Sequence, residues 1–461
     1  MKRHTLLALA IAAAIGGCAV APTYQKPAVE TPAAFKEGQG EWVRAAPADA
    51  LERGPWWQLF QDSVLNDLAG QVEVSNQNVA IAVASYAQAR ALTAEQRVSL
   101  FPTVDLSLSG NRSGGGGGPA SSRYQVGLGA GWEPDVWGRL RTAVNAAGAG
   151  EQASLADLQS ANLSAQGEVA LNYFNLRQLD SQIDLQKQTI AGYERSQTIA
   201  SNRYNAGIVA KTDVLQAQTQ LINARADMLG LERQRATLEH AIAVLVGRAP
   251  ANFSIAPRPI WQGIVPEVPA DVPSTLLQRR PDIAAAERRV AQANEQVGIA
   301  QAAYFPSISL SGSAGFGAAR FGDLFSSSAL VWSIGASLAQ TLFDGGARNA
   351  RVEGARAGLE AASARYRQTV LGAFQDVEDQ LIASRILQQQ LVLRQQASQA
   401  ANLVEQQVLN RYLAGQVSYT EVVSAQVTAQ SARRAVVAAQ SDRQVASVAL
   451  IQGLGGGWRG L

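Results

Sequence analysis

Apolar residues recur along this chain in two rhythms. In four short stretches the period is two. Val104, Leu106 and Leu108 alternate with Asp105, Ser107 and Ser109, and Tyr124, Val126, Leu128, Ala130 and Trp132 alternate with Gln125, Gly127, Gly129, Gly131 and Glu133. Further on, Ile308 and Leu310 stand against Ser307, Ser309, Ser311 and Ser313, then Trp332, Ile334, Ala336 and Leu338 against Ser333, Gly335 and Ser337. Successive side chains of a strand point to opposite faces. Strands are therefore expected at about 103–110, 123–134, 307–317 and 330–343, each with an apolar face and a small, polar one. The segments 111–122, with its run Gly114–Gly118, and 318–328 read as external loops.

Elsewhere the rhythm is helical. Val370, Phe374, Val377 and Leu381 step by four and three, the spacing of a coiled-coil seam. Proline marks where long helices are allowed. Seven of the 16 prolines lie between Pro250 and Pro281 and five between Pro22 and Pro55, while 138–249 and 307–461 contain none. Proline breaks helix interiors, so the two proline-free tracts can hold very long helices; with a shorter helix ahead of each strand pair, helices are expected at about 63–99, 138–205, 274–303 and 344–413. At 1.5 Å per residue the second and fourth would each extend about 100 Å.

The chain repeats itself at a spacing of roughly 205 residues. Leu100-Phe101-Pro102-Thr103-Val104-Asp105-Leu106-Ser107 returns as Tyr304-Phe305-Pro306-Ser307-Ile308-Ser309-Leu310-Ser311. Arg203-Tyr204-Asn205-Ala206-Gly207 returns as Arg411-Tyr412-Leu413-Ala414-Gly415. Each half reads as a helix, a Phe-Pro pair, two strands, a very long helix, a tight turn and a shorter returning helix. The expected organisation is a leader at 1–17, an N-terminal extended arm at 18–62, a first repeat at 63–249, a Pro-rich connector at 250–273, a second repeat at 274–452 and a tail at 453–461.

Period-two strands with a small polar opposite face are the pattern of a membrane barrel that encloses water. The other reading is a soluble antiparallel sandwich, but four strands set among such long helices would make an odd globular domain. Four strands cannot close a barrel, since barrels begin at about eight, and open edges are not tolerated in lipid. The chain must then assemble with copies of itself into a closed ring. Two copies give eight strands and three give twelve, and this argument does not choose between them.

The ends and the composition narrow the class. Lys2, Arg3 and His4 precede an apolar run from Leu6 to Ile15, too short to span a bilayer as a helix of roughly 20 residues. Ile15-Gly16-Gly17-Cys18 follows, which resembles the lipobox of bacterial lipoproteins. Cys18 is the only cysteine and has no disulfide partner within the chain. Without residues 1–17 the chain carries 37 bases and 37 acids, no footprint for nucleic acid. The two histidines are His4, within the leader, and His240, in a helical stretch, so a His-based triad or Cys/His metal site is not available. Lys211-Thr212 follows Ala210 with the wrong spacing for a phosphate loop. Asp376 and Asp379 lie on a Gln- and Arg-rich helix and read as solvated or packed surface. The expectation is a protein that is not an enzyme and has no cofactor beyond a covalent lipid on Cys18.

Several motifs in order resemble a known family. They are Gly17-Cys18 followed by Pro22-Thr23-Tyr24-Gln25-Lys26-Pro27, Trp57-Gln58-Leu59-Phe60 with Asp62 and Leu65, and Trp132-Glu133-Pro134-Asp135-Val136-Trp137-Gly138-Arg139-Leu140. Leu276-Leu277-Gln278-Arg279-Arg280-Pro281-Asp282-Ile283, the strand start Phe305-Pro306-Ser307-Ile308 and Leu454-Gly455-Gly456-Gly457-Trp458 complete the set. Over nearly the whole chain after the leader, this resembles the TolC/OprM-type outer-membrane factors, in their NodT-like lipoprotein branch. The resemblance implies a homotrimer lipid-anchored in the outer membrane, mainly α-helical, with a trimeric 12-stranded β-barrel and a long α-helical tube in the periplasm. It implies a periplasmic adaptor and an inner-membrane resistance–nodulation–division transporter as partners, and a passive duct for small toxic compounds. It further implies that the periplasmic tip and adaptor-docking surface hold Arg203, Tyr204, Gly207, Thr212, Asp213, Arg411, Tyr412 and Gly415. The constriction would be lined by Thr420, Glu421 and Ser424, with Ser424 where related chains often carry an Asp and Glu421 as its possible substitute. Two other functions share parts of the pattern: a duct for protein or peptide secretion, and a periplasmic coiled-coil scaffold. A detergent-requiring oligomer separates the duct from the scaffold.

Overall fold

A computed structural model describes residues 22–30, 32, 35–38, 54–115, 120–259, 261, 263–266 and 280–456. The leader, Cys18, residues 267–279 of the connector and second helix start, and the tail from 457 lie outside the described residues. The elements are α1 (Ser63–Ser75), α2 (Gln77–Val98), β1 (Thr103–Ser113), β2 (Ser121–Trp132), α3 (Arg139–Asn205), α4 (Lys211–Leu245), α5 (Pro281–Ala302), β3 (Ser307–Ala318), β4 (Leu330–Ala339), α6 (Ala347–Leu413) and α7 (Tyr419–Gly453). Both α3 and α6 run for 67 residues. No described helix is long and apolar enough to cross a membrane. The chain falls into two units, one of residues 1–28, 84–156 and 284–368, the other of 29–83, 157–283 and 369–461.

The first unit carries an antiparallel sheet in the order β1-β2-β3-β4. The register puts Leu106 opposite Leu128 and Leu310 opposite Ala336, and Ser309 opposite Ser337, so every strand presents its apolar residues to the same side. That side is bare. Leu108 is 74% exposed, Trp332 73% and Ile334 83%, far beyond what isolated surface apolar residues require. The other side is mainly serine and glycine, joined on β1 and β2 by Asp105, Asn111, Arg123 and Gln125; there Ser309 and Ser337 bond each other at 2.7 Å and Ser313 and Ser333 at 2.9 Å. Gly127 and Gly315 face each other at the β2–β3 join, and a Cβ on Gly315 would stand 2.3 Å from the Val126 carbonyl oxygen. At the foot of the sheet the Trp132 indole donates to the Leu100 carbonyl, and Trp137 stacks on Phe305 while donating to the Pro306 carbonyl. Asp135 and Asp344 accept backbone N–H groups at the starts of α3 and α6. Favourable near a helix N-terminus, these carboxylates set where strand becomes helix.

The strand boundaries differ from expectation where loops were expected. β1 runs on to Ser113 and β2 begins at Ser121, because Asn111, Arg112 and Ser113 continue the ladder with Arg123, Ser122 and Ser121. β3 reaches Ala318, and the segment after it forms short 3₁₀ turns at Phe321–Asp323 and Ser327–Ala329. β4 stops at Ala339, short of residue 343, where the Gln340 side chain turns to the Tyr304 carbonyl and Gly345 and Gly346 take positive φ.

In the second unit a core gathers Trp56, Trp57, Phe60, Leu65, Leu68 and Val72 against Val169, Tyr173, Phe174, Ile242, Val246, Ile255 and Ile451. A polar clamp fixes the start of the connector on this core. Arg177 and Asp180, both 1% exposed, pair at 2.7 Å, and Arg235 reaches the other Asp180 oxygen at 2.6 Å. Arg177 also donates to the Ala256 carbonyl and Arg235 to the Ile255 carbonyl, while the Arg258 N–H donates to Asp180. Burial of such charges is tolerated only when each is paired and hydrogen-bonded.

The helix expected over 63–99 is two helices. Asn76 interrupts it, buried and extended: its side chain accepts from the Asn78 and Val79 N–H groups and donates to the Leu245 carbonyl at 2.7 Å. One residue thus caps α2 and ties the bend to α4. Asn76→Ala is expected to lower stability by about 1–3 kcal/mol, cap and buried acceptor both being lost, measurable as a lowered denaturation midpoint.

Candidate functional site

The site residues picked out by the repeat gather at the two helix turns. Both α3 and α6 end in a glycine of positive φ, Gly207 at 72° and Gly415 at 77°. The conformation costs glycine little and lets the chain fold back on its last carbonyls. Ile208 N–H donates to the Arg203 carbonyl and Gln416 N–H to the Arg411 carbonyl, each at 2.9 Å. Equivalent sequences therefore make equivalent turns.

The turns then engage each other unequally. Arg203 crosses to the second turn, donating to the Leu413 carbonyl at 2.8 Å with its guanidinium 4.9 Å from the centre of the Tyr412 ring. A cation at the end of α6 meets unpaired carbonyls there, a favourable position. The Tyr412 hydroxyl donates to Asp213, in the first turn of α4, at 3.3 Å. Tyr412 packs edge-on against Tyr419, within an apolar cluster of Ala200, Ala217 and Val422. Burial first, and the Asp213 charge next, raise the Tyr412 phenol above its ordinary pKa. Tyr419 is pushed up to about 12, mainly by burial. Both phenols stay protonated at neutral pH, so Tyr412 remains a donor. Arg203, Tyr412 and Asp213 form one latch.

The other predicted residues stand apart from it. Tyr204, Gly207, Thr212, Arg411 and Gly415 are exposed. So are Thr420, Glu421 and Ser424, which share one face at the start of α7. Glu421 is not a free acid, however. It accepts the Ser418 N–H in a capping box that starts α7, which restrains its carboxylate toward its own helix.

Sequence reasoning missed what lies behind the latch. The Leu413 carbonyl has no residue signature, and Tyr419 stands where the first repeat has Lys211. Along α3 and α7 runs a polar ladder: Gln186 accepts from Gln430 and Arg434 and donates to the Ala224 carbonyl, and Gln426 donates to Ser196. Gln186 is fully buried. The signal was the four-residue step from Gln426 to Gln430, which a glutamine-rich chain hides.

The pattern that defines the outer membrane efflux proteins matches residues 68–248 and 272–456. The solvent efflux pump outer membrane protein SrpC of Pseudomonas putida is 31% identical over 454 residues, covering 96% of each chain. Outer membrane protein OprJ of Pseudomonas aeruginosa is 30% identical, covering 98% of this chain and 95% of that one. The solved structure of the outer-membrane channel OprN superposes with a TM-score of 0.88 at 32% identity, over 96% of this chain and 100% of the other.

The latch predicts a local stability. Arg203→Ala removes a charged donor and a cation–π contact worth about 1–3 kcal/mol together. Amide hydrogen exchange around 200–215 and 410–420 is expected to speed up about tenfold or more, 1.4 kcal/mol being a factor of ten, with Arg203→Lys between the two. Unchanged exchange in Arg203→Ala would show that the turns are held by capping alone.

Proposed function

The chain belongs to the outer membrane efflux protein family, and on that premise we propose that it is the passive exit duct of a tripartite pump, a homotrimer. It is an outer-membrane efflux channel, mainly helical with a strand-built membrane section. The observation that carries the duct reading is the sheet: an exposed apolar face, a serine and glycine face behind it, and edges on β1 and β4 with no strand beside them among the described residues. In lipid every backbone group must find a partner, so the sheet is complete only as part of a closed ring with its polar face around water. Three copies supply twelve strands.

Several parts of the reading are ours. Cys18 carries the lipid anchor, supported by its place after Gly16-Gly17 as the only cysteine. The turns of α3–α4 and α6–α7 form the periplasmic end, where an adaptor docks on the exposed surface around Thr212, Gly207 and Gly415 and the Arg203–Tyr412–Asp213 latch restrains opening. The inner-membrane transporter is of the resistance–nodulation–division class and supplies the energy. The duct performs no chemistry and needs no cofactor. The constriction is lined by Thr420, Glu421 and Ser424, and the engagement of Glu421 with Ser418 leaves Ser424 the position most able to change its charge.

In planar bilayers, purified protein is expected to form long-lived pores of low conductance. Arg203→Ala with Tyr412→Phe should raise that conductance several-fold, and Ser424→Asp should shift reversal potentials toward cations. Pores that ignore all three changes would place the constriction elsewhere. Absence of pores from a protein that needs no detergent would overturn the duct. Separately, Cys18→Ser should abolish incorporation of labelled palmitate, and persistent labelling would refute the anchor.

A further inference from the structure

Among the described residues, the apolar side of the sheet carries one charge. The register places Val104, Leu106, Leu108, Gly110 and Arg112 of β1 on that side, together with the even-numbered residues of β2, β3 and β4. Every other member of the set is uncharged. Arg112, opposite Ser122 and exposed, is the last residue of its row, at the end of β1 away from the helices. A cation facing lipid is costly at the middle of a bilayer and nearly free at its surface.

Aromatic residues mark where that surface lies. On β2, Trp132 at the foot and Tyr124 near the loops stand eight residues apart, about 27 Å along the strand. At the usual tilt of a barrel strand this is about 20 Å across the bilayer, close to the height of the apolar band between two aromatic girdles. The Tyr124 ring lies across Gly110, where a Cβ would stand 3.3 Å from it. Phe321 meets Tyr124 edge-on at 5.8 Å and is itself 66% exposed. Arg112 lies two residues beyond Gly110, about 7 Å farther along the strand. It therefore stands just outside the aromatic border, at the level of lipid headgroups.

The two ends of the sheet also treat arginine differently. At the foot Arg139 pairs with Glu133, Arg141 with Asp135 and Arg348 with Asp344. At the loop end Arg112, Arg123 and Arg320 stand against a single acid, Asp323, and none of the three has an ion pair among the described residues. Arg123 faces Asn111 on the polar side. Arg112 is the one that β1 turns toward lipid.

We propose that Arg112, above a shelf made by Tyr124 and Phe321, binds the phosphate of a phosphorylated lipid in the outer leaflet. The planar guanidinium presents paired donors that match phosphate oxygens. Its stem can rest on apolar surface while the charged head stays at the headgroups, and the rings beneath it close the way inward. The ligand is a lipid and not a soluble anion, because only a molecule lying in the leaflet meets both Arg112 and the apolar row below it. The site rests on the duct reading, which puts this face of the sheet in hydrocarbon. It gives the outer end of the barrel a fixed depth in the membrane.

The test is equilibrium binding of diphosphoryl lipid A, dispersed in detergent, to the purified full-length protein. Saturable binding is expected for the wild type. Arg112→Gln should weaken it about tenfold or more, as loss of a charged donor to phosphate does, with Arg112→Lys in between. Arg123→Gln, on the opposite face, should bind as the wild type does. Lipid A stripped of its phosphates should bind the wild type no better than diphosphoryl lipid A binds Arg112→Gln. Undiminished binding by Arg112→Gln, or an equal loss in Arg123→Gln, would overturn the site. Displacement of the lipid by an equal concentration of inorganic phosphate would overturn the choice of a lipid. Pore conductance in planar bilayers reads the duct separately. Arg112→Gln pores of wild-type conductance with lost lipid binding would support the proposal. Wild-type protein that forms no pores would overturn the duct reading, and the membrane placement of Arg112 with it.

Discussion

The backbone of a strand carries hydrogen-bonding groups that water can satisfy and lipid cannot. The whole molecule follows from that limit. A sheet with a bare apolar face must lie in hydrocarbon, and there its two outer edges become intolerable. Among the described residues neither β1 nor β4 carries proline or has a strand on its outer edge, devices by which soluble sheets blunt or cover their edges. The chain leaves them open, and its solubility in the bilayer is a property of the assembly, not of the single copy. The serine and glycine face is the other half of the same arrangement, because a closed ring of such strands has to hold water inside.

Duplication meets this limit with one hairpin design used twice, as β1·β2 and as β3·β4. It is not a strict copy, however. At the turns the two repeats share Arg, Tyr and Gly at matching positions, yet Arg203 crosses to the opposite turn, where it meets Tyr412 and the Leu413 carbonyl, and Tyr412 alone of the two tyrosines reaches back to Asp213 among the described residues. Arg411, the counterpart of Arg203, is left at the surface. The difference lies in what surrounds the shared residues. Tyr419 packs beneath Tyr412, while the first repeat has Lys211 in its place. Sequence symmetry is thereby turned into an asymmetric latch, and the two turns are free to take different tasks.

Where a physical signal is periodic, it was readable in advance. The strands announced themselves because lipid and water lie on opposite sides of a thin sheet, and the 67-residue helices because proline is absent from them. What escaped reading depends on particular partners, several of them far away in sequence. Asn76 looks like any polar residue in a helix until its contact with the Leu245 carbonyl is seen. Arg177 and Asp180 drew no notice in the sequence, yet they are buried beneath the start of the connector, which presents the Ala256 carbonyl and the Arg258 N–H to them. Glu421, expected at the constriction, also caps α7 through Ser418 three residues earlier, a contact not drawn from the sequence. Periodicity is a property of an element, whereas capping and clamping are properties of a meeting between elements.

On the polar sheet face Ser309 bonds Ser337 and Ser313 bonds Ser333, with Ser311 facing Gly335 between them, and glycines fill much of the neighbouring β2–β3 join. Over β3 and β4 a solute passing such a wall finds few unclaimed donors and little side-chain surface to rest against, and the charged and amide groups of this face are confined to Asp105, Asn111, Arg123 and Gln125 on β1 and β2. The bore is a slippery conduit, in which residence is brief and dissimilar molecules fare alike. A compound designed to plug the exit would find little foothold on the β3–β4 part of it. Its purchase would have to come from the aromatic and charged groups at the helix turns, where Arg203, Tyr412 and Tyr419 concentrate the adhesive chemistry that the sheet avoids.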